Sequence, residues 1–441
     1  MSLIYFPPSF SPPCHGRHNI SMPIQTFAPS WRNTKFLWVI AGILFGTKIN
    51  LVGEIYIGEI LAIAALPSLL SKGRISREFV FVIALAVSWS IAQAISDIQN
   101  ETELLSSLKG IFSPVVFGST IVFLISLMKN HVDRMASILI GILIAKLIAV
   151  AIFPTEYQIS QPWKWGYGSI ALSIGLIYAS FLRRSNALQI SLFMAVFAVV
   201  CILNSSRSLA VLPLFGYAIY LFWKSSLFPK SKRFLVGRMA PIRVAIPIFA
   251  FATIVNVLFT FLFSTYWLDP YLEESTASKY KQQAASPAGL LLSGRSETLV
   301  SVQAFMDSPI FGHGSWAQDK SGYLAQYATL LYKYGINDDI QEIDQTLIPA
   351  HSFLFGSLVW SGIVGGLFWI ILTYRVVNAY LRYPTYIPVY FHVGLVIYLW
   401  NVLFSPFGAD GRWPTSIFIA VLFAYVSSLN SPDQSSSRSH S

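Results

Sequence analysis

Residues 110–128 read GIFSPVVFGSTIVFLISLM, a run of nineteen residues without a single charged side chain. A helix rises about 1.5 Å per residue, so a run of about 20 apolar residues can cross the roughly 30 Å hydrocarbon core of a membrane. Similar runs recur along the 441 residues, of which 54% are hydrophobic and 11% are charged. In soluble domains about a quarter of all residues are charged, so the composition of this chain indicates an integral membrane protein.

The apolar runs predict an all-α polytopic membrane protein of about 12 transmembrane helices, since the alternation typical of membrane strands is absent. The predicted spans are 35–50, 53–71, 78–97, 110–128, 135–153, 167–182, 186–203, 208–223, 244–265, 352–373, 386–404 and 413–429. They divide the chain into an N-terminal tail (1–34), spans one to nine (35–265), a large polar loop (266–350), spans ten to twelve (351–429) and a C-terminal tail (430–441). We expect both tails to be disordered.

Lysine and arginine collect in alternate short loops, and this asymmetry predicts the orientation of the chain. The basic segments are Lys72/Arg74/Arg77, Lys129/Arg134, Arg183/Arg184, Lys224 to Arg243 and Arg375/Arg382. Twelve alternating spans put all of them on one side, so we expect cytoplasmic termini and an external 266–350 loop. The net charge of +10 then reflects contact with anionic membrane lipid, and no nucleic acid partner is expected.

The 266–350 loop is the long polar interruption of the chain, and it holds ten of the 20 acidic residues. Within it, Ser293 or Ser296 can cap a helix that runs to Met306. Arg295 would stand at the start of this helix, where unpaired backbone N–H groups and a guanidinium together favour a phosphate. An arginine paired with a carboxylate on a solvated loop explains the pattern equally well.

Two histidines stand in or beside this loop. His351 follows Pro349-Ala350 and is predicted in the first turn of the tenth span, where the positive end of the helix dipole would keep it neutral and able to accept a proton. A polar anchor at headgroup level is the more ordinary explanation for a single histidine in this place. His313 lies between Gly312 and Gly314 in a predicted turn, where it could touch a substrate.

Further candidates stand at predicted span ends. Arg207 and Arg412 either reach toward lipid headgroups or hold phosphate. Trp163 and Trp165 can stack on sugars, although tryptophan is also common in interfacial belts. Lys146 lies inside the fifth span, where an ionisable group is costly and often functional. Metal-ligand spacing is absent, so no cofactor is predicted.

Several of these pieces, taken in order, resemble the shared segment of the O-antigen ligase and polymerase superfamily. The matching stretches are Ser293-Gly294-Arg295, Asp307-Ser308-Pro309-Ile310-Phe311-Gly312-His313-Gly314, His351-Ser352-x-x-x-Gly356 and Gly362-Ile363-Val364-Gly365. In addition, Asn204-Ser205-Ser206-Arg207-Ser208 resembles the Ser-Arg that the family places at an outer span end. The resemblance covers about Asn204 to Gly366.

This resemblance implies a metal-independent membrane glycosyltransferase of the GT-C type on the periplasmic face of the bacterial inner membrane. Its donor would be a glycan linked to undecaprenyl diphosphate, and its acceptor another glycan (a polysaccharide polymerase) or lipid A-core (an O-antigen ligase). His351 would be the general base, and Arg207 and Arg295 would bind the diphosphate. Ser352 and Trp360 depart from the family pattern, which leaves polymerase and ligase open, with polymerase favoured.

A transporter or flippase for lipid-linked sugars is the alternative from another class, since twelve spans also suit secondary transporters. The long 266–350 loop argues against it, because such a loop breaks the symmetry between two related halves. The candidate residues also lie at one interface, whereas transporters commonly bind near the membrane midplane.

Overall fold

A computed structural model of the chain describes residues 33–51, 53–71, 77–129, 131–182, 186–225, 297–333 and 346–429, together with Thr253, Val257, Phe261 and Lys281. Among these residues the only sheet is an antiparallel hairpin of β1 (Lys48–Asn50) and β2 (Glu54–Tyr56). The first helices are α1 (Asn33–Gly46), α2 (Ile57–Ser71), α3 (Arg77–Gln99), α4 (Leu104–Met128), α5 (Val132–Ile152), α6 (Glu156–Ser160), α7 (Gly168–Ile177), α8 (Ala187–Leu203) and α9 (Arg207–Lys224). After a gap follow α10 (Glu297–Asp307), α11 (Tyr323–Lys333), α12 (Phe353–Leu381), α13 (Val389–Phe404) and α14 (Ala409–Leu429). Two π-helical turns, Trp163–Tyr167 and Tyr178–Leu182, extend α7 at either end.

The helices have the length and composition of an all-α, multi-pass membrane protein. Among the described residues, six helical segments are long and apolar enough to cross a membrane: Phe79–Gln99, Leu104–Met128, Val132–Ile152, Trp163–Leu182, Phe353–Leu381 and Ala409–Leu429. Four shorter apolar helices accompany them: Lys35–Gly46, Ile57–Ser71, Ala187–Leu203 and Val389–Phe404. Twelve spans and a GT-C-like arrangement stay predictions. The predicted ninth span and both tails fall almost entirely outside the described residues.

The bundle has two ends that are chemically different. At one of them, which we call the loop end, helices α3 and α13 terminate and helices α9 and α14 begin. The main apolar core lies below it and is formed by α3, α4, α12, α13 and α14, with Phe117, Trp369 and Phe391 among its fully buried side chains. The hairpin β1–β2 connects α1 to α2 at the loop end, and its two strands fall within the predicted spans 35–50 and 53–71.

Helix α12 is not the straight crossing that a predicted span at 352–373 implies. Its backbone breaks at Ser361 (φ −130°, ψ 20°) and Gly362 (φ 63°, ψ −154°), and the second of these conformations is essentially available only to glycine. The rings of Phe353 and Trp369 lie 4.9 Å apart, whereas a straight helix would separate them by about 24 Å. The segment 353–360 therefore folds back along 363–381 as a short first arm of a helical hairpin.

The turn of this hairpin is held by the polar loop that precedes it. The N–H groups of His313 and Gly314 donate to the carbonyls of Val359 (2.7 Å) and Trp360 (3.1 Å), while Ile363 donates to Pro309 (2.9 Å). These bonds satisfy backbone groups that the break in α12 frees from the helix, and buried backbone groups need such partners. The glycines predicted to form a turn at 312–314 thus dock onto the hairpin, with φ values of 75° and 85°.

Candidate functional site at the loop end

His351 is an exposed side chain at the foot of the first arm of α12. The sequence predicted it in the first helical turn, but the helix begins at Phe353 and Ser352 is its N-cap. The Ser352 hydroxyl accepts the N–H of Phe355 (3.0 Å) and donates to the carbonyl of Val402 (2.9 Å). His351 therefore precedes the cap in the chain, so the helix-dipole argument does not carry over to it.

Arg207 begins α9, which runs antiparallel along α13. Lys224 Nζ donates to the carbonyl of Thr385 (2.8 Å), and further up the pair the backbone of Gly216 touches Val393. The same register brings the start of α9 level with Val402, the residue whose carbonyl accepts from Ser352. Arg207 and His351 thus stand at the same end of the bundle, near the end of α13.

Arg295 itself lies outside the described residues, but the helix predicted to follow it is present. This helix, α10, spans Glu297–Asp307 and buries Val300 and Ala304 against the first arm of α12. The Ser301 hydroxyl donates to the carbonyl of Pro349 (2.9 Å), two residues before His351. The start of α10 is therefore fastened beside the foot of the first arm.

The two tryptophans proposed as sugar platforms have different surroundings. Trp163 is half-buried, and its indole N–H donates to the sulfur of Cys201 (3.2 Å) in the last turns of α8. Next to it, Gly168 packs against Leu209, so the start of α7 lies against the start of α9. Trp165 is 50% exposed, and Lys164 Nζ lies 4.8 Å from its ring centre. Trp165 is consequently the more accessible of the two rings.

Arg412 occupies a buried ion pair. Its Nε and Nη2 donate to the two carboxylate oxygens of Glu59 at 2.7 and 2.9 Å, and its Nη1 donates to Ser113 Oγ at 3.3 Å. The Glu59 side chain is fully buried, so the counter-charge of Arg412 lies inside the bundle. The charge of Arg412 is therefore neutralised inside the bundle.

His313 is tied to the loop that carries it. Its Nε2 lies 2.7 Å from the carbonyl of Ala304, which as an acceptor requires the proton on that nitrogen. Its ring meets Tyr323 edge to face, with centroids 5.7 Å apart. These two contacts hold the 309–314 turn against α10 and α11, so His313 stabilises the structure of the loop.

A charged cluster at the start of α14 was not predicted. Lys48 Nζ contacts Glu54 (2.9 Å) and Asp410 (3.3 Å), and the Tyr56 hydroxyl donates to Asp410 (2.9 Å). Burial by itself would lower the pKa of Lys48, but Asp410 and Glu54 outweigh it and raise the pKa above its ordinary value. Glu54 lies in β2 just before α2, and Asp410 lies in the first turn of α14, and a sequence pattern does not distinguish such residues from ordinary interfacial groups.

Asp97 is a second residue that sequence reasoning missed. Its carboxylate is 3% exposed and accepts hydrogen bonds from Ser315 N (2.5 Å), Ser315 Oγ (2.9 Å), Ser107 Oγ (3.0 Å) and Gln93 Nε2 (3.2 Å). Gly110 leaves room for the Ser315 hydroxyl. Asp97 thereby fastens the polar loop to α3 and α4, and its position at the end of a predicted span was the available signal.

Neither a scan of the chain against models of protein families nor a search of curated proteins finds a match. The resemblance to the O-antigen ligase and polymerase superfamily consequently rests on the short motifs quoted above.

Proposed function

We propose that the protein is a membrane glycosyltransferase that moves a glycan from undecaprenyl diphosphate to a hydroxyl group of an acceptor glycan, as a polysaccharide polymerase does. Transfer to lipid A-core, the ligase reaction, is the alternative within the same class. The observation that carries the proposal is the exposed His351 at the foot of the first arm of α12, at the same end of the bundle as Arg207.

The proposed reaction is a direct displacement. The acceptor oxygen forms a bond to the anomeric carbon while the bond from that carbon to the diphosphate oxygen breaks, so the configuration inverts. The electron pair of the broken bond goes to the diphosphate, and His351 takes the proton of the acceptor hydroxyl as general base. Arg207 and Arg295 supply fixed positive charge where negative charge develops on the leaving group.

Two contacts support this distribution of roles. Ser352 joins the foot of the first arm to Val402, with which the start of α9 at Arg207 is level. Ser301 joins α10, which begins two residues after Arg295 in the sequence, to Pro349. We therefore propose that the donor diphosphate lies between these helix starts, with the acceptor hydroxyl on the His351 side.

The test is transfer by the purified protein in detergent, with a lipid-linked glycan as donor. His351→Ala is expected to lower the rate by about 10²–10⁴-fold, the usual contribution of a general base. Arg295→Ala is expected to lower it by about 10²–10³-fold, as the loss of one transition-state contact does. His131→Ala, at the start of α5 and the opposite end of the bundle, is the matched control. Wild-type transfer by either of the first two variants contradicts the assignment.

One observation favours the second candidate, a transporter for lipid-linked sugars. Transporters commonly bind their substrates at helices that are interrupted within the bundle, and α12 is interrupted at Ser361–Gly362. The same detergent assay separates the candidates, because transfer chemistry needs no sealed compartment whereas transport does. Movement of lipid-linked sugar across sealed vesicles, without transfer in detergent, selects the transporter.

The proposed setting is the bacterial inner membrane, with both termini cytoplasmic and the 266–350 loop periplasmic. The basic segments of the sequence support this orientation, since Lys224 and Arg382 lie at the opposite end from the loop end. Protease protection of tagged termini in spheroplasts tests it directly.

A further inference from the structure

Lys146 is an ionisable side chain in the middle of an apolar helix, and the function proposed above does not use it. It lies in α5, one of the segments able to cross a membrane, six residues before the end of that helix at Ile152. Six residues correspond to about 9 Å of helix. A charged group at such depth is costly and is typically retained for a function.

The surroundings of Lys146 belong to the loop end of the bundle. Its Nζ donates to Ser169 Oγ (2.8 Å) at the start of α7. Its helix packs against α1, α7 and α14, and the exposed Lys146 side chain lies beside the start of α7. Gly168, next to Ser169, packs against Leu209 in the first turn of α9. Lys146 and the first turn of α9, which begins at Arg207, therefore both lie next to the start of α7.

The neighbouring carboxylate of Asp410 makes its direct contacts with residues other than Lys146. Asp410 lies within electrostatic range of Lys146, but its oxygens are bound directly by Lys48 (3.3 Å) and the Tyr56 hydroxyl (2.9 Å). An ammonium group has three donors. Within the described part of the chain one of them is used, by Ser169. The remaining donors suit an oxygen-rich anion, since charge-assisted bonds to phosphate are strong.

We propose that Lys146 binds a phosphate group of a membrane lipid that enters the bundle at its loop end. In the setting of the proposed function, on which this part rests, the lipid is the undecaprenyl diphosphate donor and Lys146 contributes a further cation to its site. A phospholipid headgroup offers the same chemistry from another source. Binding experiments without any transfer step separate the two sources.

The experiment measures binding of undecaprenyl diphosphate, and separately of phosphatidylglycerol, to the purified full-length protein by native mass spectrometry. Lys146→Met is expected to weaken the binding of undecaprenyl diphosphate about tenfold, because one charge-assisted hydrogen bond is lost. Lys146→Arg keeps the charge and should stay within about threefold of the wild type. Lys224→Met removes a lysine at the opposite end and should leave binding unchanged.

The outcomes are distinguishable. Weakened binding of undecaprenyl diphosphate alone supports the inference and assigns the phosphate to the donor. Equal weakening for both lipids also supports it and assigns the phosphate to a headgroup. Unchanged binding of both lipids by a folded Lys146→Met protein overturns the inference. Because no glycan is transferred in these measurements, the proposed transferase function can fail while the phosphate site stands, and the reverse.

Discussion

Replacement of Asp97 by alanine should loosen the polar loop from the bundle. The Asp97 carboxylate accepts four hydrogen bonds, two of them from Ser315, and it is 3% exposed. In the variant the buried N–H of Ser315 loses its partner, which costs about 1–3 kcal/mol. The three side-chain bonds add roughly 0.5–1.5 kcal/mol each. We therefore expect a loss of about 2.5–7.5 kcal/mol of stability in this part of the protein.

Two measurements check this expectation. Unfolding in mixed detergent micelles gives the stability change, and amide hydrogen exchange gives the opening of residues 309–316. A local loss of about 3 kcal/mol corresponds to an exchange rate roughly a hundredfold higher for these amides, whereas the amides of α13 should be unaffected. The contrast between the two regions tests whether Asp97 acts on the loop.

Two variants serve as controls for Asp97→Ala. In Asp97→Asn the remaining oxygen still accepts the two N–H donors, and the new amide donates to the hydroxyls of Ser107 and Ser315, which can reverse their roles. The loss should then stay below about 1.5 kcal/mol. Asp133→Ala removes an exposed ion pair with Lys35 (3.4 Å), and such pairs contribute about 0–1 kcal/mol. If Asp97→Ala is no more damaging than Asp133→Ala, the anchoring role is refuted.

Three further predictions follow from the loop end. Gly362→Ala should lower the free energy of unfolding by about 3 kcal/mol or more, because the φ of 63° at Gly362 is unsuited to alanine and a Cβ would collide with the Ile310 carbonyl. The measurement is the shift in Tm, and Gly408→Ala is its control because there is open space around Gly408. Glu59→Gln should destabilise the bundle by about 3–5 kcal/mol, since Arg412 becomes a buried charge without a counter-charge. A stability loss below about 1 kcal/mol, which is typical of an exposed ion pair, would argue against a buried pair. His313→Ala should lower stability by about 1–2 kcal/mol through the lost hydrogen bond to the Ala304 carbonyl, while the KM for the lipid-linked donor stays unchanged. A raised KM would instead indicate that His313 contacts the substrate.

The sequence was sufficient for the class of protein and for most helices. Apolar runs of membrane-spanning length require no knowledge of neighbours, because a helix satisfies its own backbone and the bilayer accepts its apolar side chains. The same holds for the helix after Arg295, predicted to end near Met306 and found as Glu297–Asp307. Local signals of capping and turn formation were enough for these elements.

The candidate site depended on contacts between distant parts of the chain. The sequence shows Arg412 as a cation at a span end, and only the packing of α2 and α14 against α4 pairs it with Glu59, 353 residues away. The sequence predicts His351 in the first turn of a helix, but Ser352 caps that helix and therefore leaves His351 outside it.

The apolar helices and the polar loop that interrupts them can therefore be predicted from the amino-acid sequence. The turn of α12 back on itself at Gly362 cannot, because the loop 309–314 supplies the partners for its broken backbone. A break in a helix is stable only where other backbone or side-chain groups satisfy the freed N–H and C=O groups. Those groups come from residues some 50 positions earlier in the chain, and no local pattern shows them.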